Sequence, residues 1–180
     1  MKQSLKKLVV ITSIAMLIII YFGCINSKWV NNKISLNNEA DEVISDYIVN
    51  YNVGAYYKTD KQFEAHKVYG TEEKDGLINV YMYSYFRGFT FVDGGLQSRT
   101  SGGSPVLVKL KKENNKYRVV EYNEGNPVHT DEESLKKIFP KRYIRKALHD
   151  SGHSLNLHEQ INTKAREWLK QQGKDLKIIE

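Results

Sequence analysis

Cysteine is almost absent from this chain of 180 residues. The only one, Cys24, lies at the end of an apolar segment near the amino end, so residues 25–180 contain no thiol. This absence excludes a disulfide-stabilised scaffold, a zinc site built on thiolates and a cysteine nucleophile from that part of the chain. The fold must therefore be stabilised by an ordinary apolar core, for which about 150 residues are sufficient.

Charge is absent from residues 8–27, and most of that segment is strongly apolar. As a helix its twenty residues would measure about 30 Å, which is the thickness of the hydrocarbon core of a bilayer. Three lysines and no acid precede it. The pattern predicts a protein tethered to a membrane, in three parts: an anchor or lipoprotein signal at 1–27, a linker at 28–36 and an extracytoplasmic domain at 37–180.

Two interpretations of the apolar segment remain open, and they differ at Cys24. An uncleaved signal anchor would keep the lysines in the cytoplasm and place Tyr21 and Trp29 near the far interface. A bacterial lipoprotein signal would be cut before Cys24, which would then carry lipid. Gly23 suits such a cut, whereas Phe22 does not, and the apolar run is long for a cleavable signal. Both interpretations place residues 28–180 outside the cytoplasmic membrane, as would plain secretion.

The net charge of +6 falls to +3 for the exported part once the three lysines near the amino end are subtracted. A mildly basic domain is attracted to an anionic membrane or cell wall. The basic residues are spread along the chain, which is not typical of a nucleic-acid-binding stripe. We therefore expect the membrane as a partner, together with a larger membrane protein or a cell-wall ligand, and no nucleic acid and no cofactor.

The periodicity of the exported part predicts an α+β domain. Asn37 or Asn38 can cap a helix that ends near Gly54. Four strands follow, and a glycine-rich loop at residues 93–105 separates the second from the third. Three helices complete the pattern. The strands are predicted at 63–69, 77–91, 106–112 and 117–122. Of the three later helices, one follows a capping box at Thr130/Glu133, one covers 140–148 and one follows a capping box at Asn156/Glu159.

Helix, antiparallel strands and then helices form an α+β order. The architecture we expect is a helix wrapped by a curved four-stranded antiparallel sheet, as in cystatin-like cones, with further helices at the carboxyl end. The second strand carries apolar or aromatic residues on both sides, which predicts a central strand covered on both faces.

Two clusters are candidates for a site. Tyr81, Tyr83 and Tyr85 share one side of the second strand, with Arg87 beyond them, and could line an aromatic groove for a peptide or sugar. Tyrosine is also a favoured strand residue, so a helix covering this side would make the same rings part of the core.

His149, His153 and His158, with Asp150 or Glu159, could bind a zinc ion. The intervening Ser151 and Gly152 favour a loop, in which these side chains would only solvate a turn and cap the last helix. No His-Glu-x-x-His motif is present.

The glycine-rich loop could bind an anion through its backbone amides, although it does not lead from a strand into a helix as phosphate loops do. A connection beside the sheet is the alternative. Its serines, Ser98, Ser101 and Ser104, have no histidine and aspartate at a spacing typical of serine hydrolases.

Four short motifs carry a resemblance: Phe-Glu-Ala-His-Lys-Val-Tyr-Gly-Thr-Glu-Glu at 63–73, Ser-Gly-Gly-Ser-Pro at 101–105, Tyr-Arg-Val-Val-Glu-Tyr at 117–122 and Ile-Phe-Pro-Lys at 138–141. Together they resemble an extracytoplasmic domain of Firmicute bacteria, which are Gram-positive. That domain occurs in small membrane-anchored proteins and beside membrane metallopeptidases of the beta-lactam-sensing antirepressor type. The resemblance implies a sensory or accessory role outside the membrane and assigns no catalytic residue, because the catalytic helix of the peptidase is absent.

The function expected from the sequence is a membrane-anchored binding or sensor domain without catalysis. The alternative is a small cell-surface hydrolase or metal-binding protein that uses the cluster from His149 to Glu159. A third possibility is a structural partner of a larger membrane protein.

Overall fold

A computed structural model describes residues 35–54, 57–92, 94–124, 131–150, 155–173 and 177–179. The described residues belong to one compact unit, Lys33–Glu180. The predicted anchor at 1–27, its Cys24 and most of the linker lie outside the described residues. None of the helices in the described part is long and apolar enough to span a membrane.

The fold class is α+β, as the sequence predicts, and the described residues form four helices around a mixed five-stranded sheet. The strands β1 to β4 lie side by side in chain order and are antiparallel. A fifth strand, which the sequence analysis does not predict, pairs in parallel with the start of β3. The elements are α1 (Asn38–Val53), β1 (Lys61–Lys74), β2 (Leu77–Val92), β3 (Gly95–Glu113), β4 (Lys116–Glu124), α2 (Glu132–Ile138), α3 (Lys141–Asp150), α4 (Leu155–Gln171) and β5 (Lys177–Ile179).

The first helix forms where its cap and periodicity predict. The side chain of Asn37 accepts a hydrogen bond from the backbone N–H of Ala40 at 3.0 Å, which satisfies one of the free donors at the helix start. Ala40, Ile44 and Ile48 recur at a spacing of four and are fully buried. Helix α1 therefore presents one apolar stripe to the sheet.

Two tight turns connect the antiparallel strands. Asp75 and Gly76 join β1 to β2 with φ angles of 54° and 73°, and Asn114 and Asn115 join β3 to β4 with 49° and 64°. Asp, Asn and Gly tolerate positive φ better than other residues, and two such residues in succession match the twist of a hairpin. Both turns lie between strands that the sequence predicts as neighbours along the chain.

The prediction of a loop at residues 93–105 is wrong. Residues from Gly95 onward belong to β3, and Gly95 to Ser104 pair with β2 in an antiparallel register that runs from Val92 to Ser84. Glycine and serine are poor strand formers, but hydrogen bonding to the central strand outweighs that local preference. The second and third predicted strands are therefore parts of one long hairpin.

Helices cover both faces of the sheet. The stripe on α1 packs against one face, while α2, α3 and α4 pack against the other. Strand β2 is buried along most of its length on both sides, which confirms the prediction of a central strand. The core under α1 contains Ala40, Ile44, Ile48, Ile78, Val80, Met82, Val106, Val108 and Leu110.

The later helices form near their predicted positions but with different starts. Asp131 caps α2 by accepting from the backbone N–H of Ser134 at 2.6 Å, in place of the predicted Thr130, which lies outside the described residues. Asn156, predicted as a cap, lies inside α4, where its side-chain oxygen accepts from Gln160 at 3.2 Å. Both differences shift a helix end by one or two residues.

Candidate functional site

The most distinctive surface of the described structure is the outer side of α3. Ile144 and Ala147 on its inner side are buried in the core. Arg142, Arg145 and Lys146 on its outer side are exposed. The helix therefore separates apolar from cationic residues over less than three turns.

Strand β1 adds a wall to this surface. Lys67, Val68 and Tyr69 face α3 across a cleft with a volume of about 460 Å³. We call this space the basic cleft, because five of its seven lining residues carry basic side chains. They are Lys67, Arg142, Arg145, Lys146 and His149; the other two are Val68 and Tyr69.

The cations of the basic cleft differ in their ion pairs. Glu72 forms an ion pair with Arg142, and this pairing raises the pKa of the guanidinium above its usual value. Neither Arg145 nor Lys146 forms an ion pair with any described residue. The basic cleft therefore carries an excess of positive charge on a partly enclosed surface, which is the electrostatic requirement for binding an anion.

Close packing fixes α3 against the sheet. Gly70 lies directly under the ring of Tyr143, so that a side chain at position 70 would overlap the phenol. The Tyr143 ring also lies 5.1 Å from the ring of Tyr81. Burial, together with the charge of Glu72, raises the pKa of Tyr81 to about 12. The cationic side chains therefore project from a rigid base.

The side of β2 that carries the predicted tyrosine groove is covered by α2, α3 and α4. Tyr81 and Tyr83 are only 6% and 8% exposed, and Tyr81 makes an edge contact with Phe139. Tyr85 is partly buried, and its ring lies 6.5 Å from that of His158. A ligand could reach Tyr81 or Tyr83 only by displacing a helix, so the packing interpretation accounts for these two positions. A binding role for them stays a prediction.

Arg87, the fourth residue of that predicted groove, is 3% exposed. It donates to the side-chain oxygen of Asn162 at 2.8 Å and to the hydroxyl of Ser98 at 3.2 Å. These bonds connect β2 with α4 and with the start of β3. Arg87 therefore lies in a buried polar contact between elements.

The described histidines of the predicted metal cluster have different surroundings. His149 lines the basic cleft on α3. His158 lies on α4, where its ring is 6.5 Å from Tyr85 and its Nδ1 is 3.4 Å from the amide of Asn162. His153 lies outside the described residues. Among the residues that the structure describes, no group of three His, Cys, Asp or Glu could hold a metal ion.

A buried charged cluster, which the sequence analysis does not predict, connects α1 to β1. His66 donates through Nε2 to Asp41 at 2.9 Å and through Nδ1 to Glu64 at 3.2 Å. Burial disfavours its charge, but the two carboxylates raise the pKa of His66 to about 9. The hydrogen bond to His66 lowers the pKa of Asp41.

Two hydroxyls complete this cluster, because Ser45 and Ser84 donate to Glu64 at 2.8 and 3.1 Å. Both ring nitrogens of His66 are occupied by carboxylates. The imidazole therefore has no nitrogen available to take a proton from a serine, and the cluster stabilises the fold without forming a nucleophilic triad.

The basic cleft is not predicted from the sequence, because it forms between elements that are distant along the chain. Lys67 is 75 residues from Arg142 along the chain, and the fold alone brings β1 against α3. One feature of the sequence does indicate a cationic surface at this place. In the helix predicted over 140–148 and at the residue that follows it, basic residues recur at positions 142, 145, 146 and 149, which share one face at helical spacing.

Comparison with protein-family models, with curated proteins and with solved structures finds no match for this chain.

Proposed function

We propose that this chain is a membrane-anchored binding domain that acts outside the cytoplasm and takes a polyanionic ligand in the basic cleft. The cluster of basic side chains in a cavity of about 460 Å³ carries the proposal. An exported domain meets anionic lipids and anionic wall polymers first, and its excess positive charge favours both.

The shape of the cationic row favours a ligand with repeated charges. Arg142 and His149 are seven residues apart on α3, which corresponds to about 10 Å along a helix axis. A single small anion would touch only part of this row. Arginine provides a planar fork of donors that matches phosphate or carboxylate, and lysine adds a compact charge. A polymer or headgroup that carries several phosphate groups would engage both.

The membrane attachment and the sensory or accessory role in this proposal come from the sequence. The apolar segment at 8–27 would hold the domain at the membrane, and the resemblance to the extracytoplasmic Firmicute domain supports a sensory or accessory role. The proposal includes a cystatin-like arrangement of α1 and the four antiparallel strands, and the position of α1 across one face of these strands supports it. The helices on the opposite face are an addition, and they form the basic cleft.

Binding of polyphosphate by the full-length chain in nanodiscs of zwitterionic lipid tests this proposal. We expect binding at low salt that weakens as salt is added. The double variant Arg145→Ala/Lys146→Ala should lose about tenfold in affinity, because each exposed ion pair contributes up to about 1 kcal/mol. Vesicles containing phosphatidylglycerol, offered in the same assay, distinguish a lipid headgroup from a soluble polymer.

A matched control distinguishes binding at the basic cleft from a general effect of net charge on binding. Arg99 and Lys116 are exposed and do not line the basic cleft, so Arg99→Ala/Lys116→Ala removes the same two types of charge from other positions. This control should bind as the unmodified chain does. An equal loss in both double variants, or no binding of either probe at about 1 mM, would contradict the proposal.

A further inference from the structure

A second surface lies on the other face of the sheet, where the end of α1 crosses β4. Tyr47 and Tyr51 are one helical turn apart, and their rings stack at 6.4 Å with an angle of 17° between the planes. Both rings also contact that of Tyr122 on β4, at 5.6 and 4.6 Å. Tyr47 is 36% exposed and Tyr51 is 50% exposed. We call these three residues the tyrosine platform.

The tyrosine platform adjoins a small polar recess, and Tyr122 belongs to both. Asn52, Ser84, Ser104 and Glu124 contribute polar groups to the recess walls. Its volume is about 30 Å³, which is room for one hydroxyl-sized group. The surface therefore combines an exposed aromatic face with a narrow polar opening beside it.

The polar groups of the recess are held in place. The Tyr122 hydroxyl donates to Oε1 of Glu124 at 2.6 Å, and burial, with this bond, raises the pKa of the phenol. The amide nitrogen of Asn52 donates to the carbonyl of Ile48 at 2.8 Å. A carboxylate can accept about four hydrogen bonds, so Glu124 keeps acceptor capacity for a ligand.

We propose that the tyrosine platform and its recess bind a saccharide. A pyranose ring has an apolar face of C–H groups and a polar rim of hydroxyls. Its apolar face would stack on Tyr51, while one hydroxyl or hydroxymethyl group would enter the recess and donate to Glu124. Tyrosine is suited to this role because it offers a rigid amphipathic face at low entropic cost.

The size of the platform favours a sugar over a protein partner. A tyrosine side chain buries about 150–250 Å², so the exposed parts of Tyr47 and Tyr51 amount to roughly 150–200 Å². A stable protein interface needs about 800 Å² on each partner. The proposal does not depend on the basic cleft, which lies in the helical layer on the opposite face of the sheet.

Titration of the full-length chain with trisaccharides tests the proposal. The chain is held in a polyoxyethylene detergent, since a sugar-based detergent would compete. Chitotriose, cellotriose and maltotriose serve as probes, and binding is followed by saturation transfer from protein to sugar protons in NMR. We expect at least one trisaccharide to bind. Tyr51→Ala should lower its affinity about tenfold, whereas Tyr51→Phe should keep it.

Tyr57→Ala is the matched control, because Tyr57 is 85% exposed and lies outside the platform. It should bind as the unmodified chain does. Glu124→Gln should weaken binding several-fold at an unchanged melting temperature. No binding of the three sugars at about 10 mM, an equal loss in Tyr51→Ala and Tyr57→Ala, or self-association abolished by Tyr51→Ala would each overturn the proposal.

Discussion

His66 is a buried cation that connects α1 to the sheet. Its side chain is 4% exposed, and its two nitrogens contact Asp41 and Glu64. Removing one partner from such a group leaves the other charge buried without compensation, which lowers the free energy of unfolding. Here Ser45 and Ser84 also donate to Glu64, so that carboxylate keeps two hydrogen bonds when His66 is replaced.

His66 makes stability depend on pH in a predictable direction. Its pKa rises from 6.5 to about 9 on folding, so the folded state favours the charged form. The resulting contribution is fully present below pH 6.5 and is lost as the pH rises through about 9. It amounts to at most about 3–4 kcal/mol, because one pKa unit corresponds to about 1.4 kcal/mol.

The variant His66→Gln should remove this dependence. We expect the free energy of unfolding in urea to fall between pH 6.5 and 9.5 in the unmodified chain and to fall less in the variant. His149→Gln is the control, since His149 lies on α3 in the basic cleft. Parallel pH profiles for His66→Gln and the unmodified chain would contradict the buried charge assigned to His66.

Helix α1 and the first half of β3 show what local sequence can and cannot predict. The period of Ala40, Ile44 and Ile48, together with the Asn37 cap, is sufficient to specify a helix. The serines and glycines from Gly95 to Ser104 indicate a loop, but pairing with β2 makes them a strand. That pairing is a long-range contact, and no local pattern in the segment encodes it.

The start of β3 approaches β5 so closely that only glycine fits at position 95. A side chain on Gly95 would overlap the backbone carbonyl of Lys177. The parallel pairing of Gly95 with Lys177, and of Leu96 with Ile178, depends on that space. Ile178 packs against the core under α2 to α4, so a shift of β5 also disturbs packing.

Gly95→Ala should therefore destabilise the chain by about 1–3 kcal/mol, as other overpacking substitutions do. Gly54→Ala is the control, because position 54 is helical with a φ of −85° and has open space around its α-carbon. Its effect should stay within about 0.5 kcal/mol. Urea unfolding measures both. A Gly95→Ala variant as stable as Gly54→Ala would be incompatible with the pairing of β5 and β3.

In the described part of the chain, helices on the two faces of the sheet differ in charge. Helix α1 contains four acids and no lysine or arginine, whereas α3 contains two lysines, two arginines, one histidine and one acid. The net charge of +3 for residues 28–180 conceals this separation, because the fold places residues that are distant in sequence on the same face. Near an anionic surface the resulting dipole would turn the layer of α2 to α4 toward that surface.

Anchoring of the whole chain is the prediction on which an external role depends. When the full-length chain is expressed in a Gram-positive host, we expect it in the membrane fraction, where protease added to intact cells cleaves the domain. Ile14→Lys should release the chain from the membrane, since a central charge costs about 3 kcal/mol on insertion. A full-length chain recovered from the cytosol would remove the basis for an extracytoplasmic ligand.

Cys24→Ser then decides between the two forms of attachment. A lipoprotein needs the Cys24 thiol to carry its lipid, so this variant would lose both the lipid and the cleavage before position 24. An uncleaved anchor depends only on the apolar length of residues 8–27. Replacing Cys24 by serine leaves that length unchanged, so an anchored variant would stay in the membrane. Mass spectrometry of the membrane-bound protein separates the cases: an unmodified amino end in the native chain, with the Cys24→Ser variant still membrane-bound, identifies the anchor.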